Sequence, residues 1–331
     1  MGAASKKPCN KPFTNRVSSL NRAPLGNTSL NTSRIGLGTV QLGLPYGLDG
    51  ATTPSDDECI RLVRQALEMG INFIDTAAEY GRSEELVDKA CAGAAPTPII
   101  CTKIALPDKS PAAVSEENLF QHLAHHLEKS RQHLQLDTLD LVKLHSLSTP
   151  FVTDELIDAL ASFVERGWVR YWGVTTYGLE APLDALRYPE HFRSLQVAYS
   201  ALDRTLEDTL FPAVHQAGSG LVIRSIFLQG VLTDRFNELP NFPSSITAAV
   251  AQLRALAANA GIGLAELAFR FAAYHPAVAI AIFGTTCADE VKTNAEYYAQ
   301  GPLTPDLVEA IRAVKIKDPS QLHSSTWGSP N

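Results

Sequence analysis

Leu139-Asp140-Leu141-Val142-Lys143-Leu144-His145 is a short, mostly apolar run that closes on a histidine. Its length and Leu/Val content fit a strand buried on both faces, as in parallel sheets covered by helices. Three other stretches repeat the design with a different polar residue near the end. They are Asn72-Phe73-Ile74-Asp75 with Tyr80 five residues on, Ile99-Ile100-Cys101-Thr102-Lys103, and Leu195-Gln196-Val197. An Asp, a Tyr, a Lys and a His delivered by successive strand ends are what a (β/α)8 barrel needs to build a site at its C-terminal mouth.

The segments around these strands alternate in the order the barrel requires. Arg22 to Arg34 reads as a hairpin turning at Gly26-Asn27-Thr28, and Ile35 to Thr39 as the first barrel strand. Ser55-Asp56-Asp57-Glu58 is a capping box, because the Ser hydroxyl accepts from the third helical N–H while the Glu reaches back. The helix that follows ends at Gly70. Strands are expected over Ile71–Thr76, Pro98–Lys103, Leu139–His145, Val169–Thr175, Leu195–Tyr199, Leu221–Ile226 and Val278–Phe283. Helices are expected over Ser83–Ala90, Ser115–Leu134, Thr153–Arg166, Ser245–Ala258 and Ala288–Ala299, with a last one starting at Thr304-Pro305. The fold class is therefore α/β, a (β/α)8 barrel with an N-terminal β-hairpin and a short C-terminal tail. Residues 1–21, rich in Asn, Ser, Lys and Pro, read as a disordered leader, and 22–331 as a single barrel domain.

Composition limits the partners. With 45% hydrophobic and 19% charged residues, the 331-residue chain has material for a large core and too little charge for disorder. A net charge of -7 lacks the basic patch that nucleic acid or an anionic membrane requires, so the expected partner is a small molecule, which the resemblance described below narrows to a carbonyl or sugar substrate. Five scattered cysteines without a C-x-x-C pair indicate neither a disulfide framework nor a zinc site. No signal peptide or membrane-spanning run is read, so a cytoplasmic location is expected, and the oligomeric state is left open.

The strand-end residues imply proton chemistry. A tyrosine with an ordinary pKa near ~10 needs a cationic neighbour to lower that value if it is to exchange protons near neutrality. Lys103 is that cation, and Asp75 is the carboxylate that keeps it charged; His145 can donate to a substrate oxygen and orient it toward Tyr80. No Gly-x-Gly-x-x-Gly follows a strand, since Gly36-Leu37-Gly38 lacks the third glycine. Instead, Gly284-Thr285-Thr286 enters a helix after the eighth strand, where free N–H groups make the usual barrel phosphate site.

The pattern Asp75-Thr76-Ala77-x-x-Tyr80-Gly81, the pair Thr102-Lys103, the string Leu136 to His145 and Gly173-Val174 resemble the aldo-keto reductases, in that family's order, from about Leu25 to about Asn294. The resemblance implies an NAD(P)(H)-dependent oxidoreductase interconverting an aldehyde, ketone or lactol with its reduced or oxidised form. Tyr80 is then the general acid/base, tuned by Lys103 and Asp75, with His145 orienting the carbonyl. It further implies cofactor contacts from Thr39, Asp75, Thr175, Gln196, Arg224, Ser225, Leu228, Gly230, Gly284, Thr285, Glu290 and Asn294.

The chain departs from the family at three points. Thr175-Thr176 replaces a usual Ser-Asn, and Arg224 stands where an aromatic residue often stacks under the nicotinamide. Glu290 occupies the helix position where NADP-preferring members often carry an arginine; a carboxylate repels a 2′-phosphate, so the lean is to NAD over NADP, with Lys292 as the residue that could reverse it. The resemblance extends to sugar-oriented branches that include aldose 1-dehydrogenases. Two other classes compete: a cofactor-binding regulatory subunit resembling potassium-channel β-subunits, and a lyase or isomerase using Lys103 as a Schiff base. His122, His125, His126 and His133 hold an i, i+4 pair, but their helix reads as an outer one, so they are expected on a solvated face and not as metal ligands. Cys101 is expected as a small buried hydrophobe.

Overall fold

A computed structural model describes residues 20–47, 52–107, 116–238 and 242–322. Most of the proposed leader, residues 48–51, 108–115 and 239–241, and the tail with Trp327 lie outside these residues. The chain opens with an antiparallel hairpin, β1 (Arg22–Pro24) and β2 (Asn31–Ser33), and continues into the barrel strands β3 (Ile35–Gly38), β4 (Phe73–Asp75), β5 (Ile99–Ile104), β6 (Leu139–Leu147), β7 (Val169–Thr176), β8 (Phe192–Ala198), β9 (Gly220–Arg224) and β10 (Ile280–Gly284). These eight pair in parallel, each with its neighbours in sequence, and β10 closes on β3. This is the barrel read from the sequence.

Helices α1 (Val40–Gly43), α2 (Asp56–Glu68), α3 (Ser83–Cys91), α4 (Glu116–Leu134), α5 (Asp154–Glu165), α6 (Glu180–Ala185), α7 (Glu207–Ala217), α8 (Ser244–Asn259), α9 (Leu264–Ala273), α10 (Ala288–Ala299) and α11 (Pro305–Ala313) wrap the sheet. Both halves of the Ser55–Glu58 capping box form, and Pro305 takes the first turn of α11. The strand expected to run to Ile226 stops at Arg224, because Ser225 is left-handed (φ 61) and cannot continue a ladder. Leu20, read as leader, is buried in the core.

Two cores result. The larger lies between sheet and helices and includes Trp172 and Tyr199, which therefore fill helix-facing space. The smaller lies inside the barrel, where Leu25 and Leu30 of the hairpin meet Phe73, Cys101, Leu141, Val222, Ile280 and Ile282. Cys101 is fully buried there, as expected. The hairpin thus plugs the end of the barrel at which the strands begin, and its turn is tied down by the Asn27 N–H donating to Gly218 O at 2.8 Å.

Candidate active site

Inward residues recur every second position along a strand, so each strand that contributes an apolar residue to the barrel interior contributes another inward residue one step higher. Phe73 is followed by Asp75, Cys101 by Lys103, Leu141 by Lys143 and then His145, and Ser194 by Gln196. The polar residues of that upper layer meet. Lys103 Nζ donates to Asp75 Oδ1 at 2.5 Å and to Thr76 O at 2.7 Å. Gln196 Nε2 donates to Asp75 Oδ2 at 3.0 Å. Lys103 Nζ stands 4.9 Å from the centre of the Tyr80 ring, and the Tyr80 and His145 rings meet edge to face at 5.8 Å. All four residues picked from strand ends are therefore in one place.

Each polarises the next. Burial opposes the Asp75 charge, but Lys103 and Lys143 outweigh it and hold the carboxyl below its ordinary range. Burial likewise opposes the Lys103 charge, and Asp75 more than reverses that, so the ammonium is held well above its usual value. For Tyr80 the sequence expectation needs correction. Lys103 does pull the phenol down, but burial pushes it up by more, and its pKa is raised overall. Tyr80 therefore keeps its proton at neutral pH.

The backbone around Tyr80 is confined. A Cβ at Gly43 would stand 1.6 Å from Tyr80 O, and one at Gly81, itself at φ +56°, would stand 2.5 Å from Gly43 O. Only hydrogen fits at either position, so α1 and the Tyr80 turn interlock. Below them the hydroxyls of Thr76, Ser83 and Thr39 form a buried chain, with Ser83 Oγ 2.7 Å from Thr39 Oγ1 and 2.9 Å from Thr76 Oγ1, and Thr39 donating onward to Asp75 O at 3.0 Å. Thr39, expected to touch the cofactor, is fully buried and spends its hydroxyl on this chain.

Two residues of the site carried no role in the sequence reading. Lys143 is completely buried, lies 3.7 Å from Asp75 Oδ2 and has no hydrogen-bond partner for its Nζ. It is the register neighbour of Lys103 across β5 and β6, so one carboxylate faces two ammonium groups. The signal was its spacing of two from His145, which places both on the same face. Glu79, in the loop before Tyr80, accepts a hydrogen bond from His145 Nδ1.

The remaining candidates lie at the mouth on neighbouring strand ends. Thr175 is buried at the end of β7 in register with Gln196 on β8. Gln196 Oε1 and Thr176 Oγ1 are buried with no hydrogen-bond partner. Arg224 lies over the Tyr177 ring at 4.6 Å and donates to Thr176 O at 3.4 Å, so it stacks on a side chain at the mouth. Ser225, Leu228 and Gln229 are all left-handed (φ 61, 47 and 55) just before Gly230, a concentration of strained non-glycine backbone of the kind held at ligand-binding loops. After β10, Thr285 Oγ1 donates to Glu290, whose carboxylate thus turns back into the Gly284–Thr286 loop; Asn294 is buried one turn on. Lys292 is 3.6 Å from Glu296.

The histidine group on α4 is less exposed than expected. Leu119, Leu123 and Leu127 form the helix's buried stripe, and His122 and His126 flank it, half-buried and 4.4 Å apart, with His122 Nε2 2.8 Å from Ala105 O. Among the described residues no three His, Cys, Asp or Glu side chains converge as a metal-ligand set.

The model of the Aldo/keto reductase family matches residues 34–316. This chain belongs to the aldo/keto reductase family. Its relatives include named oxidoreductases and two probable voltage-gated potassium channel β-subunits, from Oryza sativa and Arabidopsis thaliana; this protein is an oxidoreductase of the family. It is 29% identical over 225 residues to the aldo-keto reductase YhdN of Bacillus subtilis, covering 65% of this chain and 64% of that protein. It is 28% identical over 292 residues to L-galactose dehydrogenase of Arabidopsis thaliana, covering 82% and 85% respectively. The solved aldo-keto reductase AKR11C1 from Bacillus halodurans superposes with a TM-score of 0.72 at 25% identity, covering 89% of this chain and 96% of that one.

Proposed function

We propose that this aldo/keto reductase catalyses reversible hydride transfer between a nicotinamide cofactor and the carbonyl or lactol carbon of a neutral sugar-like substrate, with Tyr80 as the general acid/base. The observation that carries the reading is the convergence of Asp75, Lys103, Tyr80 and His145, held by contacts of 2.5 Å between Asp75 and Lys103 and 5.8 Å between the Tyr80 and His145 rings. The residues present also fit the cofactor. The orphaned Gln196 Oε1 is a buried acceptor at the end of β8, in register with Thr175 of β7, where a carboxamide can donate. The strained Ser225–Gly230 loop and the Gly284–Thr286 entry to α10 offer backbone N–H groups for phosphates.

When bound, the nicotinamide supplies or accepts the hydride. The chain's residues manage the oxygen. In reduction Tyr80 gives its proton to the carbonyl oxygen, and Lys103, held charged by Asp75, stabilises the tyrosinate left behind. In oxidation the same tyrosinate removes the hydroxyl proton. His145 orients the oxygen between itself and Tyr80.

The preference proposed is for NAD(H). Asp289 and Glu290 both lie in the first turn of α10, and Lys292 is directed to Glu296. Two carboxylates there disfavour a ribose 2′-phosphate by like-charge repulsion. The sugar-like substrate draws support from the similarity to a galactose dehydrogenase. Fluorescence titration with NADH and with NADPH tests the cofactor reading: NADH is expected to bind tighter, and Glu290→Arg to narrow or reverse the difference. Tighter NADPH binding by the unaltered protein removes the NAD preference, and binding of neither removes the hydride-transfer reading.

A further inference from the structure

His145 has two ring nitrogens, and the structure commits one of them. Nδ1 is bonded to the Glu79 carboxylate, which accepts but cannot donate when ionised, so the proton between them belongs to Nδ1. An imidazole with one proton therefore presents a bare lone pair at Nε2. The oxygen undergoing reduction gains negative charge, and a lone pair aimed at it is repulsive; only a hydrogen-bond donor helps. Nε2 becomes a donor while Nδ1 stays on Glu79 only if the ring carries both protons.

We propose that Glu79 is a positioning residue that fixes His145 with its proton on Nδ1, so that His145 donates to the substrate oxygen through Nε2 only as the imidazolium. The proposal rests on the hydride-transfer reading above for its kinetic consequence, though its structural half does not. Glu79 is placed for the task. It adjoins Tyr80 in sequence, its side chain is half exposed at the mouth, and the His145 side chain is 13% exposed beneath it, so a substrate can reach the ring. Among the described residues, the other ionisable groups around the pair are Tyr80, with Lys103 and Asp75 beneath it, Tyr46 from the loop after α1, and His126 of α4, which burial and the neighbouring His122 and His125 push down overall although Glu79 pulls the other way. Within the described residues, Glu79 is the group bonded to Nδ1. A carboxylate is thus part of how this chain sets the charge at its oxygen-binding end, and the reductive rate is expected to fall as pH rises and the second ring proton leaves.

The first test is long-range 1H–15N correlation on the full chain with 15N-labelled histidine, the His145 signals being assigned by their loss in His145→Gln. Neutral His145 is expected as the Nδ1–H tautomer in the unaltered protein. In Glu79→Leu it is expected to change to Nε2–H. The second test is the pH profile of kcat/KM for reduction of a neutral aldose. Glu79→Gln keeps a hydrogen-bonding side chain of the same size but accepts either tautomer. A purely anchoring role predicts that this variant follows the unaltered profile; the proposal predicts that it loses the alkaline fall and exceeds the unaltered protein by about tenfold one pH unit above the midpoint. An Nε2–H tautomer in the unaltered protein, or coincident profiles for Glu79→Gln, overturns the proposal. Failure of the hydride-transfer reading would instead appear as full activity in Tyr80→Phe, with the tautomer result standing.

Discussion

The two ends of the barrel interior are built by the same strands and behave oppositely. At the end where strands begin, Phe73, Cys101, Leu141, Val222 and Ile280 close around Leu25 and Leu30 of the hairpin without a charge among them. Two residues further along, the same strands supply Asp75, Lys103, Lys143 and Arg224. One pleat separates core from chemistry. Stability and function are thereby divided along the barrel axis: the plug lowers the free energy of the folded state by burying apolar surface, while the mouth accepts the cost of two buried ammonium groups on one carboxylate.

That division can be broken from either end. Tyr80→Phe is expected to lower turnover by roughly a thousandfold with the melting temperature unchanged, measured by kinetics beside thermal unfolding. A variant that melts early would show that the mouth also carries stability. Leu30→Ala in the plug is expected to do the reverse, costing about 2–5 kcal/mol of stability in a denaturant titration while kcat of the folded fraction stays constant. A large fall in kcat there would mean that the plug tunes the site through the strands. Lys143→Met sharpens the comparison, since it replaces a buried cation with an apolar side chain of similar length. Stability is expected to hold or rise, because a buried ionic group is often replaced without loss, while turnover falls by about tenfold as Asp75 loses its second cation. Unchanged turnover would make Lys143 a tolerated passenger of the upper layer.

The smallest effect concerns a third place, outside the barrel. Glu207 on α7 accepts hydrogen bonds from Tyr199 at 2.8 Å, from His275 at 3.2 Å and from Arg312 on α11. Burial opposes its charge, but these partners outweigh burial and lower its pKa below the ordinary value. A lowered folded-state pKa means that the group's stabilisation is present above its unfolded-state pKa and is lost as pH falls through the folded one. Glu207→Gln is therefore expected to flatten part of the acid limb of the stability curve, by less than the three changes above. An acid limb identical to the unaltered protein's would assign that sensitivity to other groups.

Much of this was legible because burial on both faces leaves a simple record: apolar runs such as Ile99-Ile100-Cys101, closed by a polar residue at the mouth. Asp75, Lys103 and His145 stood out as the closing residues of such runs. Lys143 did not, because a lysine inside an apolar strand carries no motif of its own, and only its spacing of two from His145 marks it as inward. Glu79 was hidden in the loop between two conspicuous residues, where no period applies. The left-handed residues Ser225, Leu228 and Gln229 carry no sequence mark, since glycine is the residue that normally announces that conformation. The net direction of the Tyr80 shift depends on how deeply the ring is buried, a quantity no motif contains.

The interlock of Gly43 with Gly81 sets a boundary for anyone who wishes to redesign what this protein accepts. Any exchange of the segment after α1 is expected to be tolerated only from Leu44 onward, where the Gly43 contact with Tyr80 is left unchanged. A splice placed two residues earlier would bring a side chain against the Tyr80 carbonyl and move the acid itself. The transplant border falls between Gly43 and Leu44, and the first turn after β3 travels with Tyr80 as one piece.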